Sequence, residues 1–189
     1  MEQGVKHTIK ENKSYFLTLT VEGWVDVFTG QAYRDLLIKA LSFCIKEKGL
    51  NVYAYVIMSN HIHLIANSNE PFQLKDTIRD FKKFTSKACI QEMSSGVESR
   101  KEWMLNLFTQ FGEKSDRHKN FKFWKKGNHA IELFNPRFTW QKVNYIHQNP
   151  VRAGLVSKPE DWLYSSASNY MEMESKLPEV IPIVPYLNF

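Results

Sequence analysis

The 189-residue sequence lacks the features that mark secreted or membrane-spanning proteins. No apolar run approaches the ~18 residues that a transmembrane helix needs. The first residues, MEQGVKHTIKENK, are too polar for a signal peptide. These absences predict a cytoplasmic protein with no membrane segment.

Cysteine is also scarce, because Cys44 and Cys89 are the only two in the chain. Each lies in a helical pattern without a Cys-x-x-Cys partner, so neither a zinc knuckle nor a disulfide framework is indicated. We expect two buried, reduced thiols.

Long linkers and internal repeats are missing as well. The 43% hydrophobic content is enough for one domain with a real core. We therefore predict a single domain over 1–189, in which the tail from about residue 160, acidic at first and then proline-rich, packs on the body.

Hydrophobic periodicity predicts a mixture of strands and helices. Asn135 has the position of a helix cap and Pro136 that of the first turn, whereas Pro150 disfavours helix in the residue before it. The predicted strands are 14–21, 52–57 and 61–66, with shorter ones at 121–124 and 129–133; the predicted helices are 31–48, 72–93, 102–111 and one that starts at 135–136 and stops before 150.

The stretch 53–67, YAYVIMSNHIHLIAN, places His61 and His63 one residue apart in a strand pattern. Alternate side chains of a strand share a face, so both imidazoles point the same way while Ile62 points into the core. Two co-oriented imidazoles form half of a metal site, and the missing ligand must come from another element.

The helix after Pro136 is the best donor of that ligand. Tyr145, Gln148 and Asn149 share one face at helical spacing, which puts a phenol beside carboxamide oxygens. Two imidazoles plus an amide oxygen from Asn149, or from Gln148 instead, leave positions open for a phosphate oxygen on Mg²⁺ or Mn²⁺.

A tyrosine at such a site could act as a nucleophile on a phosphodiester. Because a free phenol is protonated at neutral pH, a nearby cation must favour the phenolate. One phosphate ester would replace another, so the absence of an ATP-binding G-x-x-x-x-G-K-[ST] loop is no objection. The alternatives are a structural or surface His pair and a tyrosine that belongs to the core.

Positive charge is concentrated in residues 114–137, which carry seven Lys or Arg against two acidic residues and so match the +5 of the whole chain. Phe121, Phe123 and Trp124 are interleaved with these charges, a mixture that suits phosphate contacts and base stacking. A solvated basic loop whose aromatics enter the core is the alternative. A basic stripe on the helix 72–93 is either a rail for phosphates or an ordinary solvated face; it contains Lys75, Arg79, Lys82, Lys83 and Lys87.

Five motifs, in order, resemble the IS200-like Y1 transposase family and most closely its REP-associated tyrosine transposase branch. They are YVIMSNHIHLI, FKKFTSKA, FWKKGNHAIEL, YIHQNPVRAGLV and DWLYSSASNY. The resemblance covers nearly the whole chain, but the stretch 93–119 is longer than expected. It implies an α+β fold with a ferredoxin-like or RRM-like antiparallel sheet and helices packed on it.

The resemblance also implies an activity, namely nicking and joining of single-stranded DNA at hairpins with Mg²⁺ or Mn²⁺. By the match, His61 and His63 hold the metal, Tyr145 forms a 5′-phosphotyrosine link, and Asn149 falls where the family places a third ligand. A homodimer is left open. The candidate DNA-binding residues are Lys75, Arg79, Lys82, Lys83, Lys122, Trp124, Lys125, Lys126 and Arg152.

Two other functions remain to be weighed against this one. A module with an RRM-like sheet could hold a nucleic-acid hairpin and perform no chemistry, using the basic segment without the histidines and Tyr145. A zinc hydrolase could use His61, His63 and His129, although no carboxylate stands at motif spacing to act as its base.

Overall fold

The computed structural model describes Ile9, residues 13–115 and residues 120–184. Its centre is an antiparallel sheet of four strands in the order β2-β3-β1-β4. The strands are β1 (Tyr15–Thr20), β2 (Leu50–Ile57), β3 (His61–Ser68) and β4 (Ile131–Glu132). With helices between β1 and β2 and between β3 and β4, this is the ferredoxin-like β-α-β-β-α-β order. The predicted α+β fold is confirmed.

Five α-helices accompany the sheet in the described ranges: α1 (Gln31–Glu47), α2 (Leu74–Ser95), α3 (Lys101–Glu113), α4 (Pro136–Arg152) and the short α5 (Ala167–Tyr170). Helices α1 and α2 contact each other on one side, and α4 contacts β2 and β3. None of the helices in these ranges is long and apolar enough to cross a membrane. Both cysteines are buried free thiols, as predicted.

Alternating side chains of the sheet pack into two separate cores, one on each face. Leu17, Ile62 and Leu64 belong to the core that α1 and α2 share. On the other face, Phe16 and Ile65 pack with Val143 and Ile146 of α4. Ile62 is fully buried, as predicted. His61 and His63 therefore lie on the α4 side of the sheet, because neighbouring residues of a strand point to opposite faces.

Two of the predicted short strands are corrected. Residues 121–124 form no strand and make only one bridge, between Val21 and Trp124. Phe123 and Trp124 both pack into the core that α1 and α2 share, so they do not alternate between two faces as neighbouring strand residues do. The strand predicted at 129–133 is reduced to the two residues of β4.

The predicted stop of α4 before Pro150 is wrong, whereas its start is confirmed. The Asn135 side chain accepts from the Phe138 N–H at 2.8 Å, as a helix cap does. The helix continues through Pro150 to Arg152. Pro150 removes only its own N–H, and the next turn still closes because the Ala153 N–H donates to the Asn149 carbonyl at 3.0 Å.

The chain after residue 160 lies along the outer edge of β2. The Ile57 N–H donates to the Tyr164 carbonyl and the Ile181 N–H donates to the Val52 carbonyl, both at 2.9 Å. A covered edge offers no unpaired backbone groups to another chain. The tail thus lies along the edge of the sheet opposite to β4.

His147 joins α4 to this tail. Its Nε2 lies 2.9 Å from the Ser166 hydroxyl, which also accepts from the Tyr55 N–H at 2.9 Å. Burial lowers the pKa of His147 to about 4. The imidazole is therefore neutral in the folded protein at neutral pH.

We expect His147 to make stability fall in mild acid. Its pKa is depressed from 6.5 to about 4, so between these values the unfolded chain binds a proton that the folded chain does not. Urea unfolding of the wild type should show a free energy of unfolding that decreases from pH 7 to pH 4. His147→Gln should flatten that decrease; equal slopes for the two proteins would contradict the assignment.

Candidate active site

The pairing of β1 with β3 places the two histidines at one end of the sheet. His61 pairs with Thr20 and His63 with Thr18. The Met58 N–H donates to the His61 carbonyl at 2.9 Å, closing the tight connection predicted between β2 and β3. The two imidazole centroids are 4.7 Å apart, so the rings share one face as the spacing predicts.

Asn60 fixes the orientation of the His61 ring. Its Nδ2 donates to a carboxylate oxygen of Asp26 at 2.8 Å, and this leaves its Oδ1 facing His61 Nδ1 at 2.8 Å. An amide oxygen only accepts, so His61 Nδ1 carries the hydrogen and Nε2 carries the lone pair. An acceptor for the ring N–H is what orients a metal-binding imidazole in proteins, and here an amide oxygen takes that place.

His63 is packed more deeply. Its Nδ1 lies 2.9 Å from the Thr18 hydroxyl, and its ring stacks on Phe16 with centroids 5.2 Å apart. Burial, followed by the nearby His61 and Lys142, lowers the pKa of His63 to about 3. Burial also lowers the pKa of His61, although Asp26 opposes the shift. Both rings are neutral at pH 7, which metal ligation requires.

Tyr145 reaches the same place from α4. Its ring centroid is 5.3 Å from that of His63, and 38% of the residue is exposed. Two cations flank the phenol ring: Lys142 Nζ lies 5.8 Å and Arg152 Cζ 5.7 Å from its centroid. An exposed phenol beside two cations and two neutral imidazoles is an arrangement that can meet a phosphate.

The amides predicted as third ligand lie one helical turn further along. Gln148 is exposed, while Asn149 is half-buried and its Nδ2 donates to the Tyr145 carbonyl at 3.5 Å, a long bond that a ligand could replace. Within the described ranges no three His, Cys, Asp or Glu side chains form a metal-binding group, which removes the zinc site with His129. The neutral imidazole pair fits half of a Mn²⁺ or Mg²⁺ site, with oxygens as the other ligands.

A basic groove of about 830 Å³ runs between α2 and residues 120–128. Its described lining contains no Asp or Glu. Backbone hydrogen bonds join the groove to the strand partners of the histidines. The Lys125 N–H donates to the Thr20 carbonyl and the Thr18 N–H donates to the Asn128 carbonyl, both at 2.8 Å. The basic lining consists of Lys75, Arg79, Lys82, Lys83, Lys87, Lys114, Lys122, Lys125 and Lys126.

Comparison with protein-family models gives a match over residues 10–111, just over half of the chain, to the family described as "Transposase IS200 like". The chain belongs to the IS200-like transposase family. The resemblance seen in the ordered motifs is therefore confirmed. No curated protein matches this transposase-family chain.

Two solved structures show what the IS200-like chain is similar to. A REP-associated tyrosine transposase, bound to a REP hairpin, is 17% identical, with coverage of 94% of this chain and 90% of the other and a TM-score of 0.62; this likeness shows the fold. A putative transposase from Deinococcus radiodurans is 14% identical, with coverage of 78% and 97% and a TM-score of 0.44.

The predicted DNA-binding residues of this IS200-like protein divide into free and engaged cations. Lys75, Lys83 and Lys126 are exposed in the basic groove. Arg79 is also exposed but pairs with two carboxylates of its own helix, and Lys122 pairs with Glu22 at 2.7 Å. Arg117 and Lys119, in the basic segment, lie outside the described residues.

Trp124 and Lys82 have structural positions, and for Trp124 this is the alternative in which the aromatics of the basic segment enter the core. Trp124 is 6% exposed, and its Nε1 donates to the buried Thr85 hydroxyl at 3.1 Å, so its indole is packed in the core rather than offered to a base. Lys82 Nζ donates to the Lys125 and Gly127 carbonyls at 2.8 and 3.0 Å and to Asn128 Oδ1 at 3.1 Å. Burial lowers the pKa of Lys82 to about 8.

Sequence reasoning missed the residues that orient and charge the site. Asn60 directly precedes His61, and Lys142 lies one helical turn before Tyr145, so local spacing could have pointed to both. Thr18 could not be found in this way, because its contact with His63 depends on the register between β1 and β3.

Metal titration should identify the ligands. We expect wild-type protein to bind Mn²⁺ in isothermal titration calorimetry and His61→Ala to lose that binding, because one imidazole cannot hold the ion in place. Asn149→Ala should weaken binding about tenfold or more if the Asn149 oxygen is the third ligand, and Gln148→Ala should do so instead if the Gln148 oxygen is. Unchanged Mn²⁺ affinity in His61→Ala would contradict the metal site.

Two neighbouring lysines of the groove should have different roles, Lys82 in the stability of the fold and Lys83 in DNA binding. Lys82→Met removes three hydrogen bonds that hold residues 125–128, and we expect it to lower the free energy of urea unfolding by about 1–3 kcal/mol.

The matched control is Lys83→Met, one residue along the same helix, which should change stability by less than ~0.5 kcal/mol. It should instead reduce the slope of log DNA affinity against log salt concentration by about 1, the value expected for the loss of one phosphate contact. Equal stabilities of the two variants would refute the structural role of Lys82.

Proposed function

We propose that this IS200-like protein is a metal-dependent single-stranded DNA endonuclease and strand transferase that acts through Tyr145. The observation that carries the proposal is the meeting of three rings from two elements: His61 and His63 with centroids 4.7 Å apart, and Tyr145 5.3 Å from His63. The family membership supports a DNA-processing role.

The proposed step exchanges one phosphate ester for another. The Tyr145 phenolate oxygen attacks the phosphorus, a new P–O bond forms, and the bond from phosphorus to the 3′ oxygen of the preceding nucleotide breaks. The phenol loses its proton and the departing 3′ oxygen gains one, leaving a 5′-phosphotyrosine. Attack by a 3′ hydroxyl reverses the exchange and joins strands without ATP.

The surroundings of Tyr145 suit this chemistry. Lys142 and Arg152 place positive charge beside the phenol ring, which attracts the phosphate. His61 and His63, with an oxygen of Asn149 or Gln148, would hold Mg²⁺ or Mn²⁺. The bound ion would supply a Lewis acid for a phosphate oxygen.

The basic groove supports single-stranded DNA, next to a hairpin, as the substrate. Lys125 of the groove lies 4.4 Å from the centroid of the Trp24 ring, which is 6.3 Å from that of His61, so these contacts lead from the groove to the histidines. The similar REP-associated transposase is described as bound to a REP hairpin. Both histidines and Tyr145 come from one chain, so the proposed step does not require the homodimer that the resemblance leaves open.

A hairpin-binding module without chemistry is the competing function. It would need the basic groove but would gain nothing from two neutral imidazoles beside an exposed phenol. The grouping of these three side chains favours the enzyme.

The decisive test is trapping of the covalent link. Labelled single-stranded DNA hairpins with unpaired flanks are incubated with the protein and Mn²⁺, and denaturing gels are examined for a protein–DNA adduct. Tyr145→Phe should abolish the adduct and leave DNA affinity intact, because the ring still packs against Phe16 and His63.

Tyr53→Phe on β2 is the matched control and should form the adduct normally. His61→Ala should form none at any Mn²⁺ concentration. An adduct of undiminished yield in Tyr145→Phe would overturn the proposal.

A further inference from the structure

Trp24 is an exposed aromatic beside the candidate active site. Its indole is 55% exposed, and its ring centroid lies 6.3 Å from that of His61. Large aromatic side chains bury much apolar area when they pack, so an indole left in solvent next to a functional histidine calls for an explanation.

The backbone that presents this indole is unusual. Trp24 has φ 58°, a left-handed conformation that costs energy for any residue with a Cβ, and Gly23 before it has φ 67°. A Cβ on Gly23 would also lie 2.6 Å from the Phe111 ring. The turn therefore depends on glycine at 23, and it turns the tryptophan outward rather than into the core.

The turn and His61 are held by the same residue. The backbone carbonyl of Asn60 accepts from the Val21 N–H at 2.9 Å. The side-chain Nδ2 of Asn60 donates to the Trp24 carbonyl at 3.3 Å. The Oδ1 of the same amide faces His61 Nδ1 at 2.8 Å. The position of the indole is thus coupled to the orientation of the imidazole.

A cation from the basic groove completes the arrangement. Lys125 Nζ lies 4.4 Å from the centroid of the Trp24 ring. A ring that offers a stacking surface and a lysine that offers charge are the two contacts that unpaired nucleotides make with proteins.

We propose that Trp24 is the stacking platform for an unpaired base of the DNA, with Lys125 contacting the phosphate of the same nucleotide. This inference rests on the proposed function, in that the strand running past Trp24 is the one presented to Tyr145. It gives Trp24 the role that the sequence pattern suggested for Trp124.

The test uses a DNA hairpin with oligothymidylate flanks that carry one 2-aminopurine at successive positions, in EDTA. Without metal no covalent step occurs, so the readout is binding alone. Wild-type protein should quench 2-aminopurine at one flank position. Trp24→Gly, which suits the positive φ, should lose that quenching and about tenfold in affinity, and Trp24→Phe should recover part of both.

The matched control is Trp103→Ala, since Trp103 on α3 is 56% exposed and should leave both readouts unchanged. An abasic site at the quenched position should weaken wild-type binding about tenfold and Trp24→Gly hardly further, because the two changes remove one contact. Thermal unfolding confirms that each variant is folded.

Equal DNA affinity of Trp24→Gly and wild type would overturn the stacking role. So would affinity losses from Trp24→Gly and from the abasic site that add independently. That failure is separate from failure of the proposed function: Tyr145 adducts could still form. Conversely, absence of any adduct would leave a positive stacking result intact.

Discussion

The antiparallel pairing of β1 with β3 determines where the residues of the candidate site lie. It places Thr18 beside His63 and Thr20 beside His61, and it buries Ile62 on the opposite face. Sliding the register by one residue would turn both histidines into the α1–α2 core and expose Ile62. Hydrophobic burial on one face of the sheet therefore fixes the aim of the polar residues on the other.

The electrostatic character of the site follows from the same burial. His63 has little access to water, so its imidazole remains neutral and cannot contribute charge to the chemistry. Positive charge comes from Lys142 and Arg152 at the rim and from the basic groove beyond β1. The site thus combines two neutral imidazoles in its buried part with cations around its exposed part, so the ligands of the proposed metal are distinct from the groups that would attract a phosphate.

Sequence periodicity predicted the parts of this arrangement that are local. The period of a strand is enough to co-orient His61 and His63, and the period of a helix is enough to place Asn149 near Tyr145. It left Trp124 open between base stacking and the core, and it did not indicate the structural role of Lys82, because both positions depend on contacts between residues about 40 positions apart. The continuation of α4 through Pro150 was not predicted for another reason. A proline disfavours a helical conformation in the residue before it but does not forbid that conformation, and in α4 the Pro150 ring is buried.

Helix α3 packs behind the turn that carries Trp24. Phe111 of this helix stands directly behind Gly23, at the back of the turn that carries Trp24. A shift of α3 by a fraction of its diameter would press on this turn and, through Asn60, alter the tilt of the His61 ring. The side chain at position 111 therefore limits the space behind this turn, and a change of its size would change how the turn presents Trp24.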